Sequence, residues 1–448
     1  MLAQRLLALL AVACALEPCV HWTNASARPP ARFGHSAVYD LVRDRMLVFG
    51  GNDGFDYYMN DVWALPLAGP PVWTQLNPTG APPDRRAFHS AVFDPLRDRM
   101  LVFGGLGDGG TTNDVWEMSG SVPPAWTRLS PLGTGPSTRF LQSAVYDPVR
   151  DRVLVFGGLD GDGARNDVWA LSLAGAPEWS LLPVVGTPPL ARYLQSMIYD
   201  PERDRMIVFG GANLSKYYDD CMALELAADP ARWTPIAATG TPSVARDGHG
   251  AIYDPVGDRM LVFGGWGKGI GPMNDICALS LAGTPAWAAI EAAGGIPATR
   301  TIHSAILDLP RNRLVVFGGT GSGELASLDD TWALPLPGAN LWSALVPGLD
   351  APWEPRPTNA LGAPTPNPCR GRLTVSYALA GAGSFELGLY DVNGRLLRRL
   401  AGGEHPAGSG VAVWDGSDEH RAPVEPGVYF LRMVGAGFRE TRRVVILR

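Results

Sequence analysis

The nine residues RDRMLVFGG at positions 43–51 recur without change at positions 97–105. Near copies stand at 150–158, 203–211, 257–265 and 311–319. From one copy to the next, the second glycine of the pair advances by 54, 53, 53, 54 and 54 residues. A period this regular predicts one structural unit that is built six times.

The composition favours a β-rich protein. Hydrophobic residues make up 46% of the 448 residues and charged residues 18%, with 54 glycines and 40 prolines. Such a chain can bury a large core and needs many tight turns, which is typical of all-β proteins with short strands. The formal net charge of −7 provides no basic field for a polyphosphate backbone, so we expect no nucleic-acid partner.

Each unit contains four strand-like segments bounded by Asp, Pro and Gly. In the first unit they are strand A, HSAVYD at 35–40; strand B, RMLVFGG at 45–51; strand C, NDVWAL at 60–65; and strand D, WTQL at 73–76. The A–B connection, as in DPVRDR at 147–152, predicts a tight turn between antiparallel strands. Sheets that are apolar on both faces must pack against neighbours, and radial stacking of six units would bury them. A late tryptophan that could fill the gap between sheets recurs in every unit: Trp73, Trp126, Trp179, Trp233, Trp287 and Trp342.

The glycine doublet, the aromatic residue that follows it and the late tryptophan resemble the kelch motif, over about residues 31–345. The resemblance implies a six-bladed kelch β-propeller, which we assign to residues 21–345, within the superfamily that includes galactose oxidase. Trp22 and Thr23 resemble the end of another strand D. We expect this strand to close the ring; the alternative is that a blade is missing before it.

The period stops at about Gly362, and a second domain is predicted after a Pro-rich linker at 346–368. Six alternating segments at 372–379, 384–391, 394–401, 411–416, 427–434 and 441–447 predict a small β-sandwich at 369–448. The stretches PNPCRGRLTVSYAL, LYDVNGRLLRRL, VWDGSDEHRAPVEPGVYFLRM and RRVVILR resemble the type A C-terminal sorting domain of the type IX secretion system and the similar FlgD-type immunoglobulin-like domain. The resemblance implies an exported bacterial protein; the alternative is a spacer without sorting activity. Cys369 departs from the resemblance, because an apolar residue usually follows Asn-Pro there.

The N-terminal residues 1–20 resemble a secretory signal peptide, with Arg5 before an apolar stretch from Leu6 to Leu16. We therefore expect a secreted or cell-surface protein associated with the outer membrane. A lipid anchor is the alternative. No later stretch is long and apolar enough to predict a transmembrane segment.

Cys221 and Cys277 align to opposite faces of strand C, so we expect buried thiols and not a disulfide between them.

One face of the propeller is the expected binding face. The D–A and B–C loops emerge on it and vary freely, whereas the A–B turns on the other face are nearly uniform. An arginine precedes strand A in every unit, and we consider it a candidate ligand-binding residue for an anionic sugar or carboxylate: Arg32, Arg86, Arg139, Arg192, Arg246 and Arg300. The alternative is structural, in that each arginine pairs with the aspartate before strand C: Asp61, Asp114, Asp167, Asp220, Asp275 and Asp330.

Aromatic residues of the B–C loops are the second group of candidate ligand-binding residues, because exposed rings can stack on sugars or anchor a peptide. Packing against neighbouring loops is the alternative. They are Phe55, Tyr57, Tyr58, Tyr217, Tyr218 and Trp266.

Four histidines at one repeat position, His35, His89, His249 and His303, are too far apart in a propeller to predict a metal site.

These observations predict a secreted or surface-displayed bacterial kelch-propeller binding protein. It would recognise a carbohydrate or a protein through the D–A/B–C loop face, and its C-terminal domain would engage the secretion machinery or attach it to the surface. We expect no enzymatic activity, no catalytic residues, no cofactor and no metal. The alternative is a secreted or periplasmic sugar-acting enzyme, similar to an oxidase or a sialic acid epimerase, with an axial active site; it rests on fold analogy.

Overall fold

The computed structural model of the chain describes residues 28–54, 57–240, 243–321, 327–336 and 341–345, and 360–447 with short gaps at 362–363, 365–366, 368, 370, 380–382, 392–394, 406–407 and 436–437. The predicted signal peptide, Trp22, Phe55 and most of the predicted linker lie outside these residues. The chain forms two compact units, Met1–Asp350 and Ala351–Arg448. Their boundary falls within the segment predicted as a linker.

The first unit contains six antiparallel sheets, each taking its four main strands A–D from one sequence repeat. Strand A spans Ser36–Asp40, Ser90–Asp94, Ser143–Asp147, Ser196–Asp200, Gly250–Asp254 and Ser304–Asp308. Strand B spans Arg45–Asn52, Arg99–Gly107, Arg152–Phe156, Arg205–Phe209, Arg259–Gly267 and Arg313–Phe317. Strand C spans Tyr58–Pro66, Gly110–Ser119, Val168–Ser172, Cys221–Glu225, Gly271–Ser280 and Thr331–Pro335. Strand D spans Thr74–Leu76, Trp126–Leu129, Glu178–Leu181, Ala231–Pro235, Ala286–Ala289 and Leu341–Ala344.

Short strands extend these sheets. Arg86–Ala87 and Arg246–Asp247 each pair with the end of strand B in their own sheet. Leu159–Asp160 pairs with Gly163–Ala164. Val184–Gly186, Thr239–Gly240 and Ala293–Gly294 run parallel to the strand D of the next sheet. The described residues contain no α-helix; a 3₁₀ turn spans Leu309–Arg311. No helix among them is long and apolar enough to cross a bilayer.

The glycine pair that ends strand B lies where side chains would collide. Gly50 has a positive φ of 64°, and a Cβ at this position would stand 2.7 Å from the carbonyl oxygen of Arg86 in the next sheet. A Cβ on Gly51 would stand 2.9 Å from the Cβ of His35. Gly50 therefore allows the next sheet to approach, and Gly51 allows the segment before strand A to approach. This explains why the glycine doublet recurs in every unit.

Consecutive sheets pack face to face through apolar clusters, and the sixth sheet packs against the first. In each junction the strand D tryptophan of one sheet contacts the strand B phenylalanine of the sheet before it. Phe49 and Trp126 join sheets one and two with ring centroids 5.0 Å apart. Phe317 and Trp73 join sheets six and one at the same distance. The equivalent pairs are Phe103–Trp179, Phe156–Trp233, Phe209–Trp287 and Phe263–Trp342. The predicted role of this tryptophan is confirmed.

The A–B turns are linked from sheet to sheet by arginine–aspartate pairs. Arg43 donates to both carboxylate oxygens of Asp98, at 2.7 and 2.5 Å, and also contacts Asp40 in its own turn. The aspartate sits in a left-handed conformation, as at Asp98 with φ 49°. Equivalent pairs are Arg97–Asp151, Arg150–Asp204, Arg203–Asp258 and Arg311–Asp44.

The junction between sheets five and six has lost both members of this pair. Gly257 occupies the arginine position and Asn312 the aspartate position, and the side-chain Oδ1 of Asn312 has no partner among the described residues. The joint loss indicates that neither residue serves the turn without the other.

Restoring both residues is expected to stabilise the protein. We predict that Gly257→Arg with Asn312→Asp raises the free energy of unfolding by about 0.5–1 kcal/mol beyond the sum of the single changes, because the pair is partly exposed. Asn312 already has the left-handed φ of 42° that aspartate adopts in the other turns. Chemical denaturation of the wild type, both single variants and the double variant measures the coupling, and purely additive effects would contradict it.

The second unit is a sandwich of two sheets. One sheet orders Ala360–Leu361, Leu373–Leu379 and Gly408–Trp414; the other orders Leu396–His405, Gly383–Tyr390, Gly427–Gly435 and Phe438–Ile446. Both sheets contribute to one core that includes Val375 and Trp414 from the first and Leu387, Leu431 and Val444 from the second. All six strands predicted in this region are present.

The cysteines of the described residues are unbridged. Cys221 lies in the core between sheets four and five, where burial raises the pKa of its thiol to about 12. Cys277 is half-buried, and its thiol lies 3.6 Å from Asp275 Oδ2. The two thiols are separate, as expected, but Cys277 is only half-buried where the sequence predicted a buried residue.

Candidate functional site

The repeated arginines before strand A are buried and paired with aspartates. Arg86 donates from Nη1 to Asp114 Oδ1 at 2.6 Å, from Nη2 to Oδ2 at 2.9 Å, and from Nη1 to the carbonyl of Gly104 at 3.0 Å. Its Nε donates to the carbonyl of Asp84. The other arginines repeat this pattern with the aspartates predicted as partners: Arg32–Asp61, Arg139–Asp167, Arg192–Asp220, Arg246–Asp275 and Arg300–Asp330.

This geometry matches the structural alternative for the arginine ring. All six arginine residues are at most 1% exposed, and the bidentate pairing uses the planar guanidinium fully. Burial alone would raise the pKa of Asp114, but the hydrogen bonds and charge of Arg86 outweigh it, and the pKa falls to about 2. The ligand-binding role of these arginines stays a prediction, and their positive charges are compensated within the protein.

The strand C tryptophan completes four of these ion pairs. Trp63 Nε1 donates to Asp61 Oδ2 at 2.6 Å, and Trp116, Trp169 and Trp332 do the same in their sheets. Sheets four and five carry Met222 and Cys277 instead. The side chains of Asp220 and Asp275 are accordingly 42% and 44% exposed, against 11–26% for the other four aspartates.

A closed cycle of six backbone hydrogen bonds joins the sheets near the axis. The amide of Phe88 donates to the carbonyl of Gly34, and that of Leu141 donates to Phe88, at 2.6 and 2.9 Å. The cycle continues through Leu194, Gly248 and Ile302 and returns when Gly34 donates to Ile302 at 3.1 Å. All six residues are left-handed, with φ between 56° and 64°. This conformation is strained for Phe, Leu and especially Ile, so the closed ring must hold it.

The next residue in each unit forms a second, polar ring. His35, His89 and His249 place Nε2 within 2.7–2.9 Å of a serine hydroxyl on the preceding sheet. Gln142 and Gln195 donate from Nε2 to the carbonyls of Phe103 and Phe156, at 3.0 and 2.9 Å. The sixth member is His303. Together the two rings line an axial cavity of about 130 Å³.

The polar ring contains buried nitrogen and oxygen atoms that have no hydrogen-bond partner among the described residues. They are Nδ1 of the four histidines and Oε1 of Gln142 and Gln195. The glutamines fix the pattern, because their NH₂ groups already donate to carbonyls. A histidine in the same place matches this pattern when its proton is on Nε2, which leaves Nδ1 as an acceptor. Such a cavity suits water or another donor-rich guest.

The histidines do not form a metal centre within the part of the chain that is described, where no group of three or more His, Cys, Asp or Glu side chains is arranged to hold an ion. Burial, followed by the charge of a neighbouring arginine, lowers the pKa of His89 and of His249 to about 3. The pKa values of His35 and His303 are also well below the usual range, for the same reasons. The ring is therefore neutral at physiological pH.

The aromatic candidates on the B–C loops differ in exposure. Tyr218 is buried, with the Arg192 guanidinium 4.2 Å from its ring centroid, so its ring is used in packing. Tyr58 and Tyr217 are half-buried against an apolar cluster around the axis. Tyr57 and Trp266 are also half-buried, and Arg85 lies 4.6 Å from the Tyr57 ring centroid. Phe55 lies outside the described residues.

Comparisons with known proteins agree with the repeat geometry. The family model described as the KLHDC2/KLHL20/DRC7 Kelch-repeats domain matches residues 18–145, 123–231 and 227–362, which is more than half of the chain. The protein belongs to the kelch-repeat family.

Similar proteins carry this kelch region within longer chains. The dynein alpha chain of the flagellar outer arm from Chlamydomonas reinhardtii is 29% identical over 68% of this chain and 7% of its own length. The host cell factor homolog hcf-1 from Caenorhabditis elegans is 30% identical over 54% and 32%. The putative adagio-like protein 2 from Oryza sativa subsp. japonica is 26% identical over 67% and 48%. This chain thus spans less than half the length of these eukaryotic relatives.

A solved structure, that of YjhT, shares the fold at 15% identity. It superposes with a TM-score of 0.54 over 71% of this chain and 98% of its own. The likeness supports a propeller-like kelch architecture for the first unit.

Sequence reasoning missed Asp247, which follows the ring arginine Arg246. The corresponding residues in the other kelch units are Phe33, Ala87, Phe140, Tyr193 and Thr301. Asp247 is 1% exposed, its Oδ1 has no partner among the described residues, and burial raises its pKa to about 7. The sequence does contain a signal for this site. When the units are aligned on the arginine, Asp247 is the one acidic residue at a position that is otherwise uncharged.

The neutral histidines should make the stability of the kelch unit depend on pH. Because the folded pKa of His89 is about 3 and the unfolded pKa is about 6.5, the unfolded state binds more protons between these values. The free energy of unfolding therefore falls as the pH drops below 6.5, by up to about 1.4 kcal/mol per pH unit for each such histidine.

We predict that His89→Gln leaves stability at pH 7.5 nearly unchanged, because Gln142 and Gln195 occupy the same position. It should reduce the pH slope between pH 5.5 and 4 by about one proton. Denaturant unfolding across this pH range measures the slope. The exposed His420→Gln is the control and should leave it unchanged; an unchanged slope in His89→Gln would refute the assignment.

Proposed function

We propose that the six sheets are the blades of a closed six-bladed kelch propeller that binds a protein partner through its D–A/B–C loop face. The observation that carries the proposal is the contrast between the two faces. The A–B turns repeat one arrangement of Asp and Arg that is interrupted at Gly257 and Asn312, whereas the B–C loops differ in length and sequence from blade to blade. Variation on a rigid scaffold favours recognition by the loops.

A protein ligand is favoured over a sugar by the family and by the surface. Kelch domains bind protein partners, and the loop face offers half-buried aromatic residues, Tyr57, Tyr217 and Trp266, that are suited to anchoring peptide side chains. The axial cavity of about 130 Å³ is smaller than the pockets that enclose most small ligands. Carbohydrate binding is retained as the second outcome of the test.

The test selects ligands for the full chain from a random peptide library and in parallel from a glycan array. We expect selected peptides to lose roughly 5- to 30-fold in affinity when Trp266→Ala and Tyr217→Ala are combined, the usual effect of truncating anchoring residues. The matched control is Leu96→Ala with Val256→Ala, two exposed residues of the A–B turns. Equal loss in the control, or sugar ligands alone, would refute the proposal.

We further propose that the sandwich is an immunoglobulin-like domain that directs export or surface attachment in a bacterium, with residues 1–20 as the signal peptide. The resemblance of its strands to type A sorting and FlgD-type domains supports this, as does a core of its own that involves both of its sheets. The kelch unit would then be the displayed binding domain.

Export is tested by fractionating a type IX-competent bacterium that expresses the full chain or a chain ending before residue 369. We expect the full chain on the surface or in the medium and the shortened chain in the periplasm. A full chain carrying His420→Gln controls for expression. Equal surface display of the shortened chain would contradict a sorting role.

A further inference from the structure

Six equivalent residues each stand directly before a residue of the left-handed cycle that lines the axial cavity, and we call them the collar: Phe33, Ala87, Phe140, Tyr193, Asp247 and Thr301. Each pairs through its backbone with the residue that follows the glycine doublet of its own sheet. Phe33, Ala87, Phe140 and Tyr193 belong to or pack against one apolar cluster. Asp247 interrupts this apolar lining with a carboxyl group.

The adjacent arginine does not neutralise Asp247. Arg246 donates to both carboxylate oxygens of Asp275, at 2.8 and 2.7 Å, and to the carbonyl of Gly264. Among the described residues Asp247 forms no ion pair, and its Oδ1 has no hydrogen-bond partner. A carboxylate that is 1% exposed and has no counterion is costly, which agrees with the raised pKa of Asp247, and a cation placed beside it would remove that cost.

Two tyrosines lie close enough to Asp247 to respond to its charge. Burial and then Asp247 raise the pKa of Tyr193 and of Tyr217 to about 12. Aromatic faces beside a carboxylate form a favourable environment for an organic cation. The B–C loop that carries Tyr217 already contains a cation–π contact, since Lys216 Nζ lies 5.3 Å from the ring centroid of Tyr218.

The blades around Asp247 offer further acceptors. Asp220 and Asp275 belong to blades four and five, where the indole donor is replaced and the carboxylates are the most exposed of their ring. By contrast, the six ring arginines are all paired. Asp220 and Asp275 are the partners of Arg192 and Arg246, so the carboxyl group without an ion pair is that of Asp247, which suits a positively charged donor and not an anion.

We propose that Asp247, flanked by Tyr193 and Tyr217, is the receptor on the kelch loop face for a positively charged side chain, Lys or Arg, of the protein partner. The inference rests on the proposed binding function and deepens it. In the complex the cation supplies the counterion that the carboxylate lacks, and the phenol rings cover its apolar stem.

The test uses blocked pentapeptides Ala-Ala-X-Ala-Ala in which X is lysine, arginine, Nε-acetyllysine or norleucine. Binding to the full chain is followed by fluorescence polarisation of a labelled lysine peptide and by competition with the others. We expect the lysine or arginine peptide to bind at least 10-fold more tightly than the two uncharged peptides. The relative affinities of the lysine and arginine peptides show which of the two charged side chains the site prefers.

The decisive variants are Asp247→Asn, which keeps the shape and removes the charge, and Asp247→Thr, which installs the residue of blade six. Both should fold, because each removes a buried charge, and thermal unfolding checks this. Both should lose at least 10-fold in affinity for the cationic peptide. The control Asp219→Asn removes an exposed charge from the neighbouring loop and should change the affinity less than 2-fold.

The pH dependence is a second readout. Since the pKa of Asp247 is about 7, affinity for the cationic peptide should rise by up to about 10-fold from pH 6 to pH 8 in the wild type and stay level in Asp247→Asn. Of the described groups near Asp247, the phenols of Tyr193 and Tyr217 and the imidazole of His249 stay neutral in this window, and Arg246 stays paired with Asp275.

Equal binding of norleucine and lysine peptides, or an equal effect of Asp247→Asn and Asp219→Asn, would overturn this inference. The proposed binding function fails differently. If library-selected peptides depend on Trp266 and Tyr217 but carry no required cation, the loop face binds its partner and the Asp247 receptor alone is refuted.

Discussion

The structure of the kelch unit depends on the burial of both faces of each sheet against its neighbours. A single four-stranded sheet of this sequence would expose two apolar faces, and the phenylalanine–tryptophan contact at each junction removes both from water. Because the sixth sheet meets the first in the same way, no face is left over. The cycle of six amide hydrogen bonds then fixes the distance of each sheet from the axis. Residues in strained left-handed conformations, such as Ile302, are held there by this closure.

Closure also determines which residues are available for recognition. The ring arginines are drawn into bidentate pairs that support the loops, and the histidines and glutamines are drawn into contacts between sheets. What repeats in every blade is thus used by the blade. Under the proposed function, recognition falls to positions that break the repeat, and several of these lie in sheets four and five, among them Asp247 and Trp266.

Much of the fold could be predicted from the sequence because the period of the repeat and the alternation within each strand are local signals. Strand B, for example, was expected at 45–51 and is observed at Arg45–Asn52. The site was harder to predict. The pairing of Arg86 with Asp114 depends on a contact between loops that are 28 residues apart, so sequence left two interpretations open. Asp247 was not predicted because it occurs in one unit only, whereas the prediction relied on residues that repeat. Its burial without a partner is visible only in the structure.

The junction between blades five and six differs from the other five in two ways. It lacks the arginine–aspartate pair at the A–B turns, and Gly250 takes the place of the serine that His35, His89 and His249 contact in other blades, so His303 Nε2 has no partner among the described residues. Apolar packing such as Phe263 against Trp342 remains. This junction is therefore held by fewer polar contacts than the other five, and we expect local opening of the kelch unit to begin there, at the edge of the sheet that carries Asp247 and Trp266.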